Sequence, residues 1–558
     1  MTGEHQFDPP GAGMWSLDRS HYPGGTTPIS VWLMEGCPTG MRPAFEEIGM
    51  PADTLDVGFV RGFMYTRLRP LISSDRATTK LPPTVVLKLV VRLHPAMRRR
   101  AKQAASALAA RPWRDVVVDW ETSIRPRLET TNQELLAVDV EALDDRDLAA
   151  HLERLLAYCR ENFVQHFYLH VFDLGPIGLL LADCERWGID PTAVIPALAG
   201  ASPVTAAPAR ILSELRALVA SAPSRPQTLD EVRALSPDAS RLLDQYFERR
   251  GRMMVTRYDL DGRTLEEQPD LVMAALLDGS DATADESRAQ QIAADLRERV
   301  PVEERAAFDE RLDDARSTMD LRDDNGPNLV ELPVGILRHA LLEAGRRAIS
   351  SGRTNDPTLV FELRPDEVTP FVLGAADPDQ NELTARAEQR HADARLTPPA
   401  TLGPIEVSPP LAVLAPSHQR FVGAVQSVLV HMGMTSVDQA PKSRLQGAGI
   451  GTESYRGRAR VAHTPEDALD TMDPGDVLVV RFTTPAYNTV LAFAGAIVTT
   501  EGALLSHAAV MARELGLPAV IGAEGALDDI PDGAEVEIDP VAGTVKVLAV
   551  HEVSPEKR

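Results

Sequence analysis

The residues best placed to do chemistry lie near the C-terminal end of the chain, in the stretch Thr499 to Gly522, TTEGALLSHAAVMARELGLPAVIG. A strand-like run, GAIVTT, leads into a glycine-containing turn, after which Ser506 and His507 open a helix with the interior AAVMAREL. Gly516 and Pro518 then stop it. A histidine at a helix N-terminus is suited to nucleophilic attack followed by holding an anion. The positive helix end disfavours the imidazolium, so the ring keeps a lone pair, and free backbone amides stabilise an anion once it is attached. A phosphoryl-carrying imidazole needs both properties.

A second constellation, QHFYLHVFD, places His166 and His170 four apart with Asp173 one turn on, so that all three share a helix face. That spacing can hold a metal or orient an acceptor hydroxyl. The interleaved Phe163, Phe167, Tyr168 and Phe172 read as core, and no second ligand cluster supports a metal, so none is expected. His21, Arg61, Tyr65 and Arg67 read either as pocket-lining or as ordinary packing residues. The acidic pairs Asp144 with Asp145 and Asp323 with Asp324 read as solvated helix or turn positions rather than paired catalytic carboxylates.

These residues need elements to position them. With 558 residues the chain is too long for one ordinary core. Residues 1–30 read as an irregular entry segment, and a long helical middle follows, with apolar residues at helical spacing in Asp147 to Phe172, Ala207 to Ser221, Asp285 to Arg299 and Glu303 to Met319. Few strand signals interrupt it. Prolines break the pattern around 396–416, and a short helical segment runs from His418 to Met432. From Arg456 the texture changes to short β-type runs, among them DVLVVRF, PAVIG and AEVEIDP, alternating with helical ones. GAEVEIDPVAGTVKVL predicts a closing hairpin with turn residues at Asp539, Pro540 and Gly543. The expected fold class is multidomain: a mainly α-helical domain over 1–440, a linker or hinge over 441–455, a small α/β domain over 456–550 and a tail over 551–558.

Composition narrows the function classes. A formal net charge of −24 leaves no electrostatic footprint for nucleic acid or an anionic membrane, so neither is an expected partner. Cys37, Cys159 and Cys184 have neither zinc spacing nor disulfide density, the N-terminus lacks a signal-peptide pattern, and no stretch reads as a membrane span. A cytoplasmic protein is expected.

The His507 segment resembles the mobile phosphohistidine domain of the phosphoenolpyruvate-utilising enzymes, where T-x-G-G-x-x-S-H-A-A-x-x-A-R-E surrounds the phosphorylated histidine. Thr500, Gly502, Ser506, His507, Ala508, Ala509, Ala512, Arg513 and Glu514 match. The resemblance implies a swivelling α/β domain with His507 catalytic and with Thr500, Gly502, Ser506 and Arg513 at the phosphate; Arg513 alternatively pairs with Glu501 or Glu514. Ala503 stands where the second glycine usually does, and Leu505 where pyruvate phosphate dikinases and phosphoenolpyruvate synthases place a regulatory threonine.

The rest of the chain resembles the acceptor-binding domain of rifampin phosphotransferase and its relatives. Pro23, Thr27 and Pro28 match its entry segment; Gly251, Arg252, Tyr258, Asp259, Glu267 and Pro269 match a later one; LRDD at Leu321 to Asp324 and DPTLVFELRPDEV from Asp356 continue the order. No ATP-grasp domain and no phosphoenolpyruvate-binding barrel is recognisable. This resembles the split arrangement of phenylphosphate synthase and 4-methylphenyl phosphate synthase. It implies a separate ATP-grasp subunit, which passes the β-phosphoryl of ATP to His507 and binds most of the Mg²⁺ that accompanies ATP. No cofactor tightly bound to this chain is expected. The resemblance implies an acceptor that is a small hydroxylated molecule, phenolic or aromatic, with His166 and His170 as acceptor-site candidates. A rifamycin-type antibiotic phosphotransferase component and a non-catalytic scaffold subunit with a relic histidine are the alternatives.

Overall fold

A computed structural model describes the chain apart from residues 1–6, 19–20, 23, 73–75, 279–285, 432–444, 464, 484–486, 505 and 550–558. Pro23, Leu505, the first part of the expected linker and the tail therefore lie outside the described residues. Two compact units do not follow chain order. One comprises Met1–Pro176, Arg257–Gly262 and Asp324–Gly423; the other comprises Ile177–Thr256, Arg263–Asp323 and Ala424–Arg558.

The first unit is mostly helical, as expected, but it also holds a sheet that the sequence reading missed. Strand β1 (Trp15–Asp18) pairs with β3 (Phe63–Pro70) and with β4 (Thr401–Leu402), and β3 forms a hairpin with β2 (Ala52–Val60). The strand order is β2-β3-β1-β4. Arg61 and Gly62 join β2 to β3 with φ of 52° and 74°, the doubly left-handed turn whose twist suits a two-residue hairpin. Arg61 is tied to Asp393 at 2.9 Å, the Tyr65 hydroxyl donates to the Pro399 carbonyl at 2.9 Å, and buried Arg67 faces Glu406 at 3.5 Å. These three side chains brace the sheet. Trp15, Phe63, Tyr65 and Leu402 form its buried face.

Residues matched in distant segments meet in this unit. The Thr27 backbone N–H and hydroxyl donate to the Asp259 carboxylate at 2.9 and 2.5 Å, Arg257 donates to the Gly24 carbonyl at 3.0 Å, and Arg390 reaches Asp261 at 2.6 Å and Glu362 at 2.7 Å. Asp259 thus staples the entry segment to the tyrosine-aspartate turn. Burial and the neighbouring Asp261 push its carboxyl upward, while Arg257 and Thr27 act against that shift.

The helix Asp145–Arg186 has 42 residues. By length and composition it is apolar enough to cross a membrane, with a mean hydropathy of 1.3 over its most apolar window, although 61% of that window is buried inside the protein. This corrects the reading that no stretch reaches such a length. Between Asn162 and Ala182 the only Asp, Glu, Lys or Arg is Asp173; the interspersed histidines, glycines and proline hid the run.

In the second unit the helices Pro203–Ala220, Leu229–Leu235, Pro237–Arg250 and Pro269–Asp278 share a core that includes Leu215, Val232, Leu243, Val272 and Leu276. The C-terminal region is a seven-stranded mixed sheet of β5 (Ala448–Ile450), β6 (Tyr455–Val461), β7 (Val477–Val480), β8 (Ala496–Thr499), β9 (Ala519–Ile521), β10 (Glu535–Asp539) and β11 (Thr544–Ala549). Its order is β11-β10-β6-β7-β8-β9-β5, with β6 to β9 parallel and the remaining pairs antiparallel. Leu478, Val480 and Ile497 pack on one side with Ala508, Ala509 and Ala512; Val477, Val479 and Val498 pack on the other with Ala526 and Ile530. Burial on both faces explains the unbroken apolar runs VLVV and AIVT. The three alanines let the helix His507–Glu514 lie close to the sheet. Strands β10 and β11 form the expected hairpin. The described part of the expected linker belongs to this sheet: β5 pairs with β9, and Gln446 bridges Thr544.

Candidate active site

Strands β7 and β8 are parallel neighbours, so their C-terminal ends open on one edge of the sheet, where the loops that follow them come together. The loop after β8 carries Thr500, Gly502 and Ser506 into the helix that begins at His507. The loop after β7 carries Thr483. Gly502 adopts a φ of 111°, and a Cβ there would stand 3.0 Å from Ser506 Oγ, so glycine is required both by the backbone and by the hydroxyl beside it. Ser506 is the N-cap residue, but its side chain makes no capping bond; its Oγ is buried without a hydrogen-bond partner.

His507 Nδ1 lies 2.8 Å from Thr483 Oγ1, whereas its Nε2 is buried and unpartnered. When Nδ1–H donates to the threonine, the lone pair is on Nε2. Burial, and after it the positive charge of Arg322, hold the imidazole down at about 3, against 6.5 for a free histidine. The ring is therefore neutral and nucleophilic throughout the physiological range. Arg322 belongs to the helix Met319–Gly326, and its nearest approach to the Asp323 carboxylate is long, at 4.0 Å. Neutral imidazole beside a guanidinium gains nothing electrostatically; a phosphorylated imidazole there gains a counter-charge.

The other residues matched in this segment brace the loop. Thr500 Oγ1 donates to the Arg481 carbonyl at 3.2 Å, Arg481 pairs with Glu501 at 2.7 Å, and Arg513 Nη2 donates to the Leu504 carbonyl. The second candidate cluster stands in the other unit. There His170 Nδ1 is 2.9 Å from Asp173 Oδ2, Asn325 Nδ2 donates to the same oxygen at 3.1 Å, and His166 Nδ1 meets Asn325 Oδ1. Burial, followed by the charge of His170, holds His166 well below the ordinary histidine range. Among the described residues, no group of three or more His, Cys, Asp and Glu side chains is placed to hold a metal ion.

Sequence reasoning missed Thr483, Arg322 and Asn325. Thr483 had a findable signal, since FTTP follows an apolar strand and loops at the carboxyl ends of parallel strands are where sites form. Arg322 and Asn325 had none beyond lying in or beside the matched LRDD segment, because their partners are far away in sequence.

Comparison with known proteins covers the same segment. Residues 472–543 match the family model of the PEP-utilising enzyme mobile domain, and this range includes Thr483 and the whole Thr500–Arg513 segment. An uncharacterized protein of Mycobacterium tuberculosis is 34% identical over 217 residues, which is 38% of this chain and 22% of that protein. A rifampicin phosphotransferase of Streptomyces sviceus is 28% identical over 214 residues, again 38% of this chain and 22% of the relative. The chondramide synthase of Chondromyces crocatus is 27% identical over 580 residues, 96% of this chain but 14% of the synthase. The chain thus corresponds to about a fifth or less of the length of each relative. Residues 472–543 are thus similar to a PEP-utilising mobile domain, and part of the chain is similar to a rifampicin phosphotransferase.

Proposed function

We propose that this chain is a phosphotransferase subunit in which His507 accepts a phosphoryl group and hands it to a hydroxyl on a small acceptor. The observation that carries the reading is the state of His507: neutral, at a helix N-terminus, with Nδ1 held by Thr483 and Nε2 buried without a partner. Nε2 attacks the β-phosphorus of ATP: the N–P bond forms as the P–O bond to AMP breaks, and water takes up the γ-phosphoryl group, which leaves as inorganic phosphate. The anion formed then faces the helix amides, the Ser506 hydroxyl and Arg322, each of which favours the charged product. In the second half-reaction the N–P bond breaks, an O–P bond to the acceptor forms, and the hydroxyl proton leaves.

The donor in this proposal is the β-phosphoryl of ATP, delivered by a separate ATP-grasp subunit, and the acceptor is phenolic or otherwise aromatic. Mg²⁺ accompanies the ATP and is assigned mainly to that partner. The chain is placed in the cytoplasm. The likeness to a rifampicin phosphotransferase over 214 residues favours one second reading, a rifamycin-type acceptor.

Labelling of wild-type chain and His507→Ala in extract of the host tests the carrier, with β-labelled ATP, γ-labelled ATP and labelled phosphoenolpyruvate supplied in parallel. Acid-labile label from β-labelled ATP alone, absent in the variant, is the expected result. No label from any donor in a competent extract overturns the reading. Discharge of the labelled chain to phenols or to rifamycins then separates the two acceptor classes.

A further inference from the structure

We propose that the His166–His170 cluster is the proton-accepting site for the acceptor hydroxyl, with His170 as the base and Asp173 and Asn325 as its positioning residues. The inference rests on the phosphotransfer reading above and adds the group that removes the proton.

The hydrogen-bond chain fixes both tautomers. Asp173 is fully buried, and its carboxylate can only accept, so His170 Nδ1, at 2.9 Å, carries a hydrogen and Nε2 carries the lone pair. The Asn325 amide nitrogen donates to the same carboxylate at 3.1 Å, which turns the amide oxygen toward His166. His166 Nδ1 must therefore donate, and its Nε2 also keeps a lone pair. The two rings stand 4.2 Å apart between centroids on one face of the long helix. His21 repeats the pattern in the same unit, with its Nδ1 3.0 Å from Asp18.

The neighbours show what is core and what is not. Phe163, Leu169 and Phe172 on the same helix are buried hydrophobics, whereas the His170 side chain keeps 29% of its surface exposed while its carboxylate partner keeps none. Burying a carboxylate to orient a partly exposed imidazole costs desolvation that packing alone does not require. Orientation of one imidazole nitrogen by a buried carboxylate, leaving the other open, is how a general base is held. A metal is the weaker assignment, because no third ligand stands with the pair among the described residues.

The step balances. As the acceptor oxygen takes the phosphoryl group from His507 Nε2, its hydroxyl proton passes to His170 Nε2. The imidazolium formed is stabilised by Asp173 and returns the proton to water.

The test separates the half-reactions in the full chain with its donor partner, using phenol and 4-methylphenol as acceptor probes. His170→Gln and Asp173→Asn should take label on His507 at the wild-type level but discharge it about 10²- to 10⁴-fold more slowly. Wild-type discharge rates in both variants would overturn the base, whereas failure of wild type itself to take label overturns the phosphotransfer reading. If wild type takes label but neither phenol discharges it, ¹⁵N NMR of histidine-labelled chain decides independently: Nδ1–H tautomers at His166 and His170 support the site, and an Nε2–H tautomer at His170 overturns it.

Discussion

His507 and His170 are both imidazoles with one ring nitrogen held by a neighbour, yet the neighbours suit them to opposite tasks in the proposed transfer. Thr483 is an uncharged hydroxyl and Arg322 a cation, so neither rewards protonation of His507, and in the proposed transfer the ring is the nucleophile that afterwards holds an anion. Asp173 is a buried carboxylate 2.9 Å from His170 Nδ1, and in the proposal it faces the ring that takes the proton. Residue type and hydrogen-bond count are nearly the same. The sign of the second charge separates a phosphoryl carrier from a proton acceptor.

The contrast can be broken most severely at His507. His507→Ala should lose all acid-labile label, and persistence of label would move the carrier elsewhere. Arg322→Gln comes next. It removes the counter-charge from the phosphorylated state, and transfer through His507 should fall about 10²- to 10³-fold, measured as single-turnover labelling and discharge. A drop of less than about threefold would mean that the guanidinium is only a neighbour.

Acidification sharpens the same point. An ordinary histidine, with a pKa near 6.5, would be about 3% neutral at pH 5, and labelling would slow about thirtyfold. With its pKa held at about 3, His507 should label at a nearly constant rate from pH 7 to pH 5 once the partner's own profile is subtracted. The linkage has a definite sign. Between about pH 3 and 6.5 the unfolded chain binds the proton that the folded chain refuses, so this residue makes folding less favourable as pH falls through that window. His507→Gln should therefore flatten the acid side of the stability curve, read by urea unfolding. Thr483→Val has a smaller effect: losing one neutral hydrogen bond costs about 1 kcal/mol, or about fivefold in labelling rate.

What could be read in advance follows from the distance over which each feature is determined. The His507 helix, its stop at Gly516 and the closing hairpin are encoded within a few residues, and they stand in the structure as the sequence implied. The β2–β3 hairpin was equally local but passed unnoticed, because an Arg-Gly turn is a weaker signal than Asn-Gly or Asp-Gly. The apolar run of the long helix was concealed by His166, His170 and Asp173, the residues that make it interesting. Arg322 and Asn325 depend on contacts with residues more than a hundred positions away, and no local pattern announces such contacts.

The smallest expected effect concerns Ala503, the position where the sequence departs from the family's paired glycines. Gly502, with its left-handed φ, needs to be glycine. Ala503 is absent from the described non-glycine residues with positive φ, so its backbone lies where an L side chain is at ease. Its carbonyl also accepts the Ser506 N–H at 2.8 Å, which holds the turn that delivers His507. Ala503→Gly should therefore change labelling by less than about twofold. Its main effect should be a loss of about 0.5 to 1 kcal/mol in stability, from the greater freedom of glycine in the unfolded chain. A large gain in labelling would reverse this: the methyl group would then be obstructing the phosphoryl group, and the chain would be better read as a scaffold whose histidine has fallen out of use.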